Sequence, residues 1–278
     1  MEYGQILLDL SLLGTERTYG DWIVTHKGDH SCRLLSDRHY SRRSIGAKQF
    51  TRPGENLVLR TADGSAVFVS WKSKFKRRDR YNRAWECSIF RNENPKQYLS
   101  SNMIKYALYA TYKEWGEFPD DGYISYVDPA SVQSKNAGYC FERAGFVRQP
   151  VRSQRGYICY KTEMASLKLI LEEMSIIHHL EFSQYNISLA LNSGEFMEAY
   201  EFQEAAEEMY IRLFEIKKKM KDRKLKAWSQ VNQPISKKDL DLITDPYSNW
   251  MADKDYFESR GIYIDWHDDL RLDSEVEV

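Results

Sequence analysis

His39 and Tyr40 stand side by side after a short apolar-periodic run, and Asp128 ends an apolar stretch directly before Pro129. Imidazole, phenol and carboxylate are the side chains that take up or deliver protons in a reaction site. Attack by an amine on an activated carbonyl needs one group to accept the amine proton and others to hold the developing oxyanion. Asp128 precedes a proline that removes an N–H and fixes the turn, which suits a general base or an anchor for an amine. The same position suits an aspartate that closes its own turn. His39 reads either as a near-neutral base or as a histidine closing the helix before it. His39, Tyr40 and Asp128 also offer the ligand types that iron accepts. Glu86 and Cys87 alternate along one predicted strand, so only one of them can face a cleft. Glu86 is the candidate, because a buried cysteine is usually inert packing. His178 and His179 are adjacent on a predicted helix, cannot share one face, and read as structural.

A second group of residues has the chemistry of a polyanion site. The segment WKSKFKRRDRYNRAW (71–85) carries Lys72, Lys74, Lys76, Arg77, Arg78, Arg80 and Arg83 against the single acid Asp79. Trp71, Phe75, Tyr81 and Trp85 are interleaved with them. Cations neutralise phosphates and aromatic faces stack on bases, so this run reads as a nucleic-acid contact, extended by Arg42, Arg43 and Arg52. A solvated charged hairpin, or a site for a phosphorylated donor, would look the same.

The charge balance of the whole chain hides an asymmetry. The net charge is −1. Residues 1–160 hold 25 Lys and Arg against 17 Asp and Glu, a net of +8, and the remainder holds 15 against 24, a net of −9. The basic part is where a polyanion is expected, and DNA is the expected partner. No stretch approaches the ~20 apolar residues of a membrane span. The start MEYGQILLDLSLLG has neither a basic n-region nor a small-residue cleavage site, and the four cysteines show no C-x-x-C spacing. A cytoplasmic protein with reduced thiols is expected.

Strands are expected at 21–26, 56–61, 66–71, 84–92, 122–129 and 157–163, and helices at 30–38, 99–115 and 134–146. Asp29 is a plausible helix cap, Asp63-Gly64 a hairpin turn, Ser100 or Ser101 a cap for the second helix, and Gly145 the stop of the third. The order β-α-β-β-β-α-β-α-β predicts an α/β domain over residues 1–163 (core 20–161), a mixed sheet flanked by helices on both faces. Residues 164–278 form the second expected unit. Two long amphipathic patterns around Asn192-Ser193-Gly194 predict a helical hairpin, whose apolar face could pack in cis or form a homodimer. An irregular acidic tail follows.

This element order, with KNAGYCFERAGF (135–146), resembles the GNAT acyltransferase superfamily. Asn136, Ala137, Phe141, Gly145 and Phe146 fall in the pattern that closes its last helix. The resemblance implies two splayed parallel strands, 84–92 and 122–128 here, with an acyl donor in the gap between them. Glu86, Cys87, Ser88 and Asp128 would lie beside that gap, and Ser88, Ser100, Ser101 and Asn136 near the donor. The glycines with which such proteins clasp the pyrophosphate of CoA are missing from NENPKQYLSSNM (92–103), and Phe141 stands where many carry a proton-donating tyrosine. His39-Tyr40-Ser41, WECSIFRNE, Ser100-Ser101 and YVDP are similar to the Mom-type branch of phage DNA-modification proteins. That resemblance implies a transferase adding an acyl- or amino-acid-derived group to a nucleobase amine and so protecting DNA from restriction, with an unknown donor. A CoA-dependent N-acetyltransferase of a protein or small amine, and a non-catalytic nucleic-acid-binding adaptor, are the alternatives.

Overall fold

The computed structural model describes residues 17–230 other than 78, 133 and 135, and of residues 224–230 the backbone alone. The expected acidic tail therefore lies outside the described residues. In chain order the elements are β1 (Thr18–Tyr19), β2 (Trp22–Thr25), α1 (His30–Asp37), β3 (Glu55–Arg60), β4 (Ala66–Lys72), β5 (Trp85–Asn92) and α2 (Ser100–Trp115). Then come β6 (Tyr123–Val127), α3 (Tyr139–Arg143), β7 (Val147–Arg148), β8 (Ile158–Thr162), α4 (Met164–Ser193) and α5 (Phe196–Gln230). The strands form one eight-stranded sheet in the order β1-β2-β3-β4-β5-β6-β8-β7. All neighbours run antiparallel except β5 and β6.

Local chemistry accounts for most element ends. Asp29 caps α1 by accepting the Cys32 N–H at 2.9 Å and the Ser31 hydroxyl at 2.7 Å. Burial alone would raise its carboxyl pKa, but these hydrogen bonds and that from Thr25 outweigh it and bring the value down to about 2. Asp63 accepts the N–H of Ser65 in the β3–β4 turn, where Gly64 sits at φ 68°. α2 departs from expectation at its start. Its cap is Leu99, with no side-chain hydrogen bond, and Ser100 Oγ instead accepts from Asn92 Nδ2. α3 is shorter than the expected 134–146, because Gly138 stands at φ 85° and cannot belong to a right-handed helix. A Cβ there would meet the Tyr160 ring at 2.2 Å, so only glycine allows this approach.

Strand alternation divides the core between the two faces of the sheet. Trp22, Leu57, Leu59, Phe68, Trp85 and Cys87 pack on α2 and α3 on one face. Val58, Val67, Val69 and Ile89 meet Cys32 and Leu35 of α1 on the other, where Ile124 and Cys159 form a separate small cluster with Tyr81. The first cluster continues into Leu167, Ile170, Met174 and Leu180 of α4 and Leu213 and Ile216 of α5. Lys105 Nζ pairs with the buried Glu173 at 2.8 Å, and the Tyr106 hydroxyl donates to Glu181 at 2.7 Å. The helical hairpin is thus held against α2. Among the described residues no helix is long and apolar enough to cross a membrane.

The feature that positions the site is the junction of β5 and β6. Their pairing covers only Trp85–Cys87 against Tyr123–Ser125. β5 continues to Asn92 along β4, while β6 continues to Val127 along β8. Beside the junction, Ser70 pairs with Cys87 and Val69 with Ile89, so Ser88 is an extra residue, a β-bulge that bends β5. The two strands have no pairing with each other beyond Cys87 and Ser125.

Candidate functional site

Tyr40 reaches this junction from the loop after α1. Its hydroxyl donates to the Tyr126 carbonyl at 2.7 Å and accepts from the backbone N–H of Asp128. Both groups belong to the side of β6 that has no strand partner past Ser125, so the phenol satisfies a strand edge that a ligand amide could also satisfy. Burial is the main cause that raises the Tyr40 pKa, and the Asp128 N–H opposes it only in part. Tyr40 therefore stays a proton donor at neutral pH. Its ring lies 4.2 Å from that of His39 and meets Tyr157 edge-on at 6.0 Å.

His39 is not the near-neutral base expected from its free pKa. Burial first, then the charges of Arg91 and Arg52, lower its pKa to about 4. Nδ1 lies 2.8 Å from Ser41 Oγ and accepts the Ser41 N–H at 3.2 Å. An accepting Nδ1 places the ring proton on Nε2, so the imidazole is a neutral donor. The linkage has a definite sign. The folded state keeps His39 neutral, the unfolded chain takes up a proton below about 6.5, and stability falls as pH drops from there towards 4. The difference in unfolding free energy between wild type and His39→Gln is expected to shrink by about 1–3 kcal/mol between pH 7 and 4.5 in urea melts. An unchanged difference would exclude this environment.

Asp128 closes its own turn. Oδ1 accepts the Ala130 N–H at 3.0 Å and Oδ2 the Ser131 hydroxyl at 2.7 Å. The carboxylate is half-buried at the end of β6, held by a backbone N–H and a hydroxyl.

Glu86 lies elsewhere than expected. Cys87 packs in the core on one face of β5, and Glu86 points to the other, only 1% exposed. There it binds Arg52 and Arg77, each at 2.6 Å. Arg77 also forks onto Asp79, and Asp79 accepts the Tyr126 hydroxyl at 3.1 Å. Both guanidinium groups lie over the Trp71 ring, at 5.2 and 5.1 Å. With Oε1 taken by Arg52 and Oε2 by Arg77, Glu86 is a structural counter-ion rather than a base. Burial drives the Cys87 thiol well above its usual pKa, which removes it as a nucleophile.

The remaining candidates separate in the same way. Ser88 is buried and donates to the Val69 carbonyl at 3.2 Å, so its hydroxyl serves the bulge. Ser100 and Ser101 open α2, whose first N–H groups no side chain caps. Asn136 is exposed and engaged with Ser134 through its backbone. Arg42 is buried against Asp37 at 2.7 Å and donates to the Ala47 carbonyl, holding its loop rather than a phosphate. In the cationic run, Arg77 is internal, Lys72 pairs with Glu117 and Glu55, and Arg83 pairs with Asp120 at 2.8 Å. Arg78 lies outside the described residues. Arg43, Lys74, Lys76 and Arg80 remain exposed, and Phe75 beside them is 77% exposed.

No family model, no curated protein and no solved structure matches the chain. Its chemistry rests on these side chains.

Two cofactor readings can be tested against them. The stretch before α2 has no glycine and Leu99 is the cap of α2, so it does not fit the backbone clasp that a CoA pyrophosphate requires. The Tyr40 hydroxyl is engaged by backbone on two sides and Asp128 by its own turn, so they do not make an iron site. Among the described residues no three His, Cys, Asp or Glu side chains stand together as a metal site would need. The residue missed from sequence is Tyr157. The pattern around it is visible in the sequence: the segments 39–54 and 144–157, one carrying Tyr40 and the other Tyr157, contain arginines, the first also a lysine, and no acid.

Proposed function

We propose that the chain is a GNAT-like group transferase acting on an exocyclic amine of a nucleobase in DNA. The observation that carries this reading is the divergence of β5 and β6 past Cys87 and Ser125, with the bulge at Ser88 and the Tyr40 hydroxyl on the open edge. Among arrangements of a sheet, one parallel pair that separates at one end gives backbone groups free to hold the carbonyl or amide of a donor. The amine nitrogen attacks the donor carbonyl carbon, a C–N bond forms, and the bond to the leaving group breaks. Asp128 accepts the proton lost by the amine. Tyr40, kept protonated by burial, delivers one to the leaving group, and His39 offers its Nε2 proton to the developing oxyanion. The acceptor is a base because exposed Lys74, Lys76 and Arg80 flank the bare Phe75, a pattern suited to phosphates and a stacked base. A base amine is out of reach inside a duplex, so the target is flipped or single-stranded.

A second reading, transfer to a small amine from an anionic donor, is favoured by the uncapped start of α2, which attracts negative charge. Nucleosides from DNA of cells making the protein separate the two. The first reading expects an adduct of new mass on one nucleoside. An unchanged nucleoside profile beside a newly modified small amine would favour the second.

A further inference from the structure

Resting on that reading, we propose that the polyanion is gripped at the open end of the β5–β6 junction by two arginine-bearing loops. They are residues 39–54 after α1 and residues 149–157 between β7 and β8. β8 pairs Ile158 with Val127, so the second loop emerges at the very end of β6, beside Asp128. The first loop reaches the same end through Tyr40, bound to Tyr126, and the two loops meet where Tyr40 and Tyr157 touch edge-to-face at 6.0 Å. Each carries cations and no acid, Arg43 and Lys48 on one and Arg152 and Arg155 on the other, with Arg148 just ahead on β7. All five are exposed, and among the described residues none of the five forms an ion pair.

This contrasts with the run 71–85, where Lys72, Arg77 and Arg83 are committed to carboxylates. A phosphate approaching these three displaces an existing carboxylate partner, whereas Lys74, Lys76 and Arg80 of the same run stay exposed. At the loop pair a phosphate meets cations that no carboxylate neutralises among the described residues, Arg152 donating to the Gly156 carbonyl at 3.2 Å, and release of their counter-ions drives binding. Tyr157 and Tyr40 lie between the loops at the level of Asp128, so a strand held by both loops brings a base to the junction. The ligand class is a nucleic-acid strand, single-stranded or with one nucleotide turned out.

Fluorescence anisotropy of a labelled single-stranded oligonucleotide, about 20 nucleotides long to exceed one site, tests this without donor or turnover. Arg152→Gln with Arg155→Gln is expected to lower the slope of log affinity against log salt by about 1.4, at about 0.7 per lost contact. From about 50 to 200 mM salt the variant then loses roughly sevenfold less affinity than wild type does. Arg152→Lys with Arg155→Lys keeps the wild-type slope, and so does Lys218→Gln with Lys219→Gln on α5. A Gln variant that keeps the wild-type slope overturns the loop assignment and leaves the transfer reading standing. A wild type without salt-dependent binding overturns both. A lowered slope in a protein that leaves no adduct on DNA supports the loops and refutes the transfer.

Discussion

Tyr40→Phe is expected to lower base modification by about 10²–10³-fold while the protein stays folded, the scale of losing one aligned donor from a reaction site. The substitution keeps the ring and its contacts with His39 and Tyr157 and removes only the hydroxyl that bridges Tyr126 and Asp128. That bridge also stabilises, and leaving a carbonyl and an N–H without their partner costs about 1–2 kcal/mol. The two effects separate cleanly. A purely structural Tyr40 would lower the melting temperature by a few degrees with the rate unchanged at low temperature. A proton donor lowers the rate at any temperature where the fold is intact. Rates measured well below the melting transition, with circular dichroism on the same sample, distinguish them.

Glu86→Ala is the second large effect, and it acts on stability. The side chain is 1% exposed and lies between Arg52 and Arg77, the latter itself almost wholly buried. Arg77 Nη1 already has no hydrogen-bond partner. Without Glu86 the group retains two arginines and one acid, and Arg77 stays almost wholly buried with one carboxylate partner fewer. Removing one member of a buried pair costs about 3–5 kcal/mol, which in a chain of this size lowers the melting temperature by roughly 6–20 °C. Glu86→Leu combined with Arg77→Met removes both charges, and is expected to recover much of the loss because the desolvation cost disappears with them. If the single substitution leaves thermal unfolding unchanged, the charge group is not buried as described. A Glu86 that served as general base would instead show a lost reaction in a protein of normal stability.

Much of the frame was legible in the sequence because its signals are local. Asp29 before a periodic run, Asp63-Gly64 between two apolar stretches, and Gly145 after a short helix each act within a few residues. The two-residue strands β1 and β7 gave no periodicity to read, and α3 was overextended because the left-handed Gly138 looks like any helical glycine in sequence. The site was less legible, for a different reason. Whether a cation is available depends on where carboxylates arrive from. Glu86 reaches Arg52 across 34 positions and Asp120 reaches Arg83 across 37, so a run rich in arginine gives no warning that part of its charge is spent. His39 misled in the same way, since the buried setting and the Arg91 and Arg52 charges that depress its pKa come from other strands and loops. The bulge at Ser88 is a one-residue slip between β4 and β5 and leaves the alternation of β5 nearly intact.

These particulars converge on one claim, that an activated group and a base amine meet where β5 and β6 part. The intact mass of a single-stranded oligonucleotide, incubated with purified protein and a small-molecule extract of the producing cells, tests it most directly. A discrete added mass is expected with wild type, confined to one base type and absent with Tyr40→Phe at equal protein concentration. An oligonucleotide of unaltered mass with wild type, or an equal adduct with Tyr40→Phe, would contradict it.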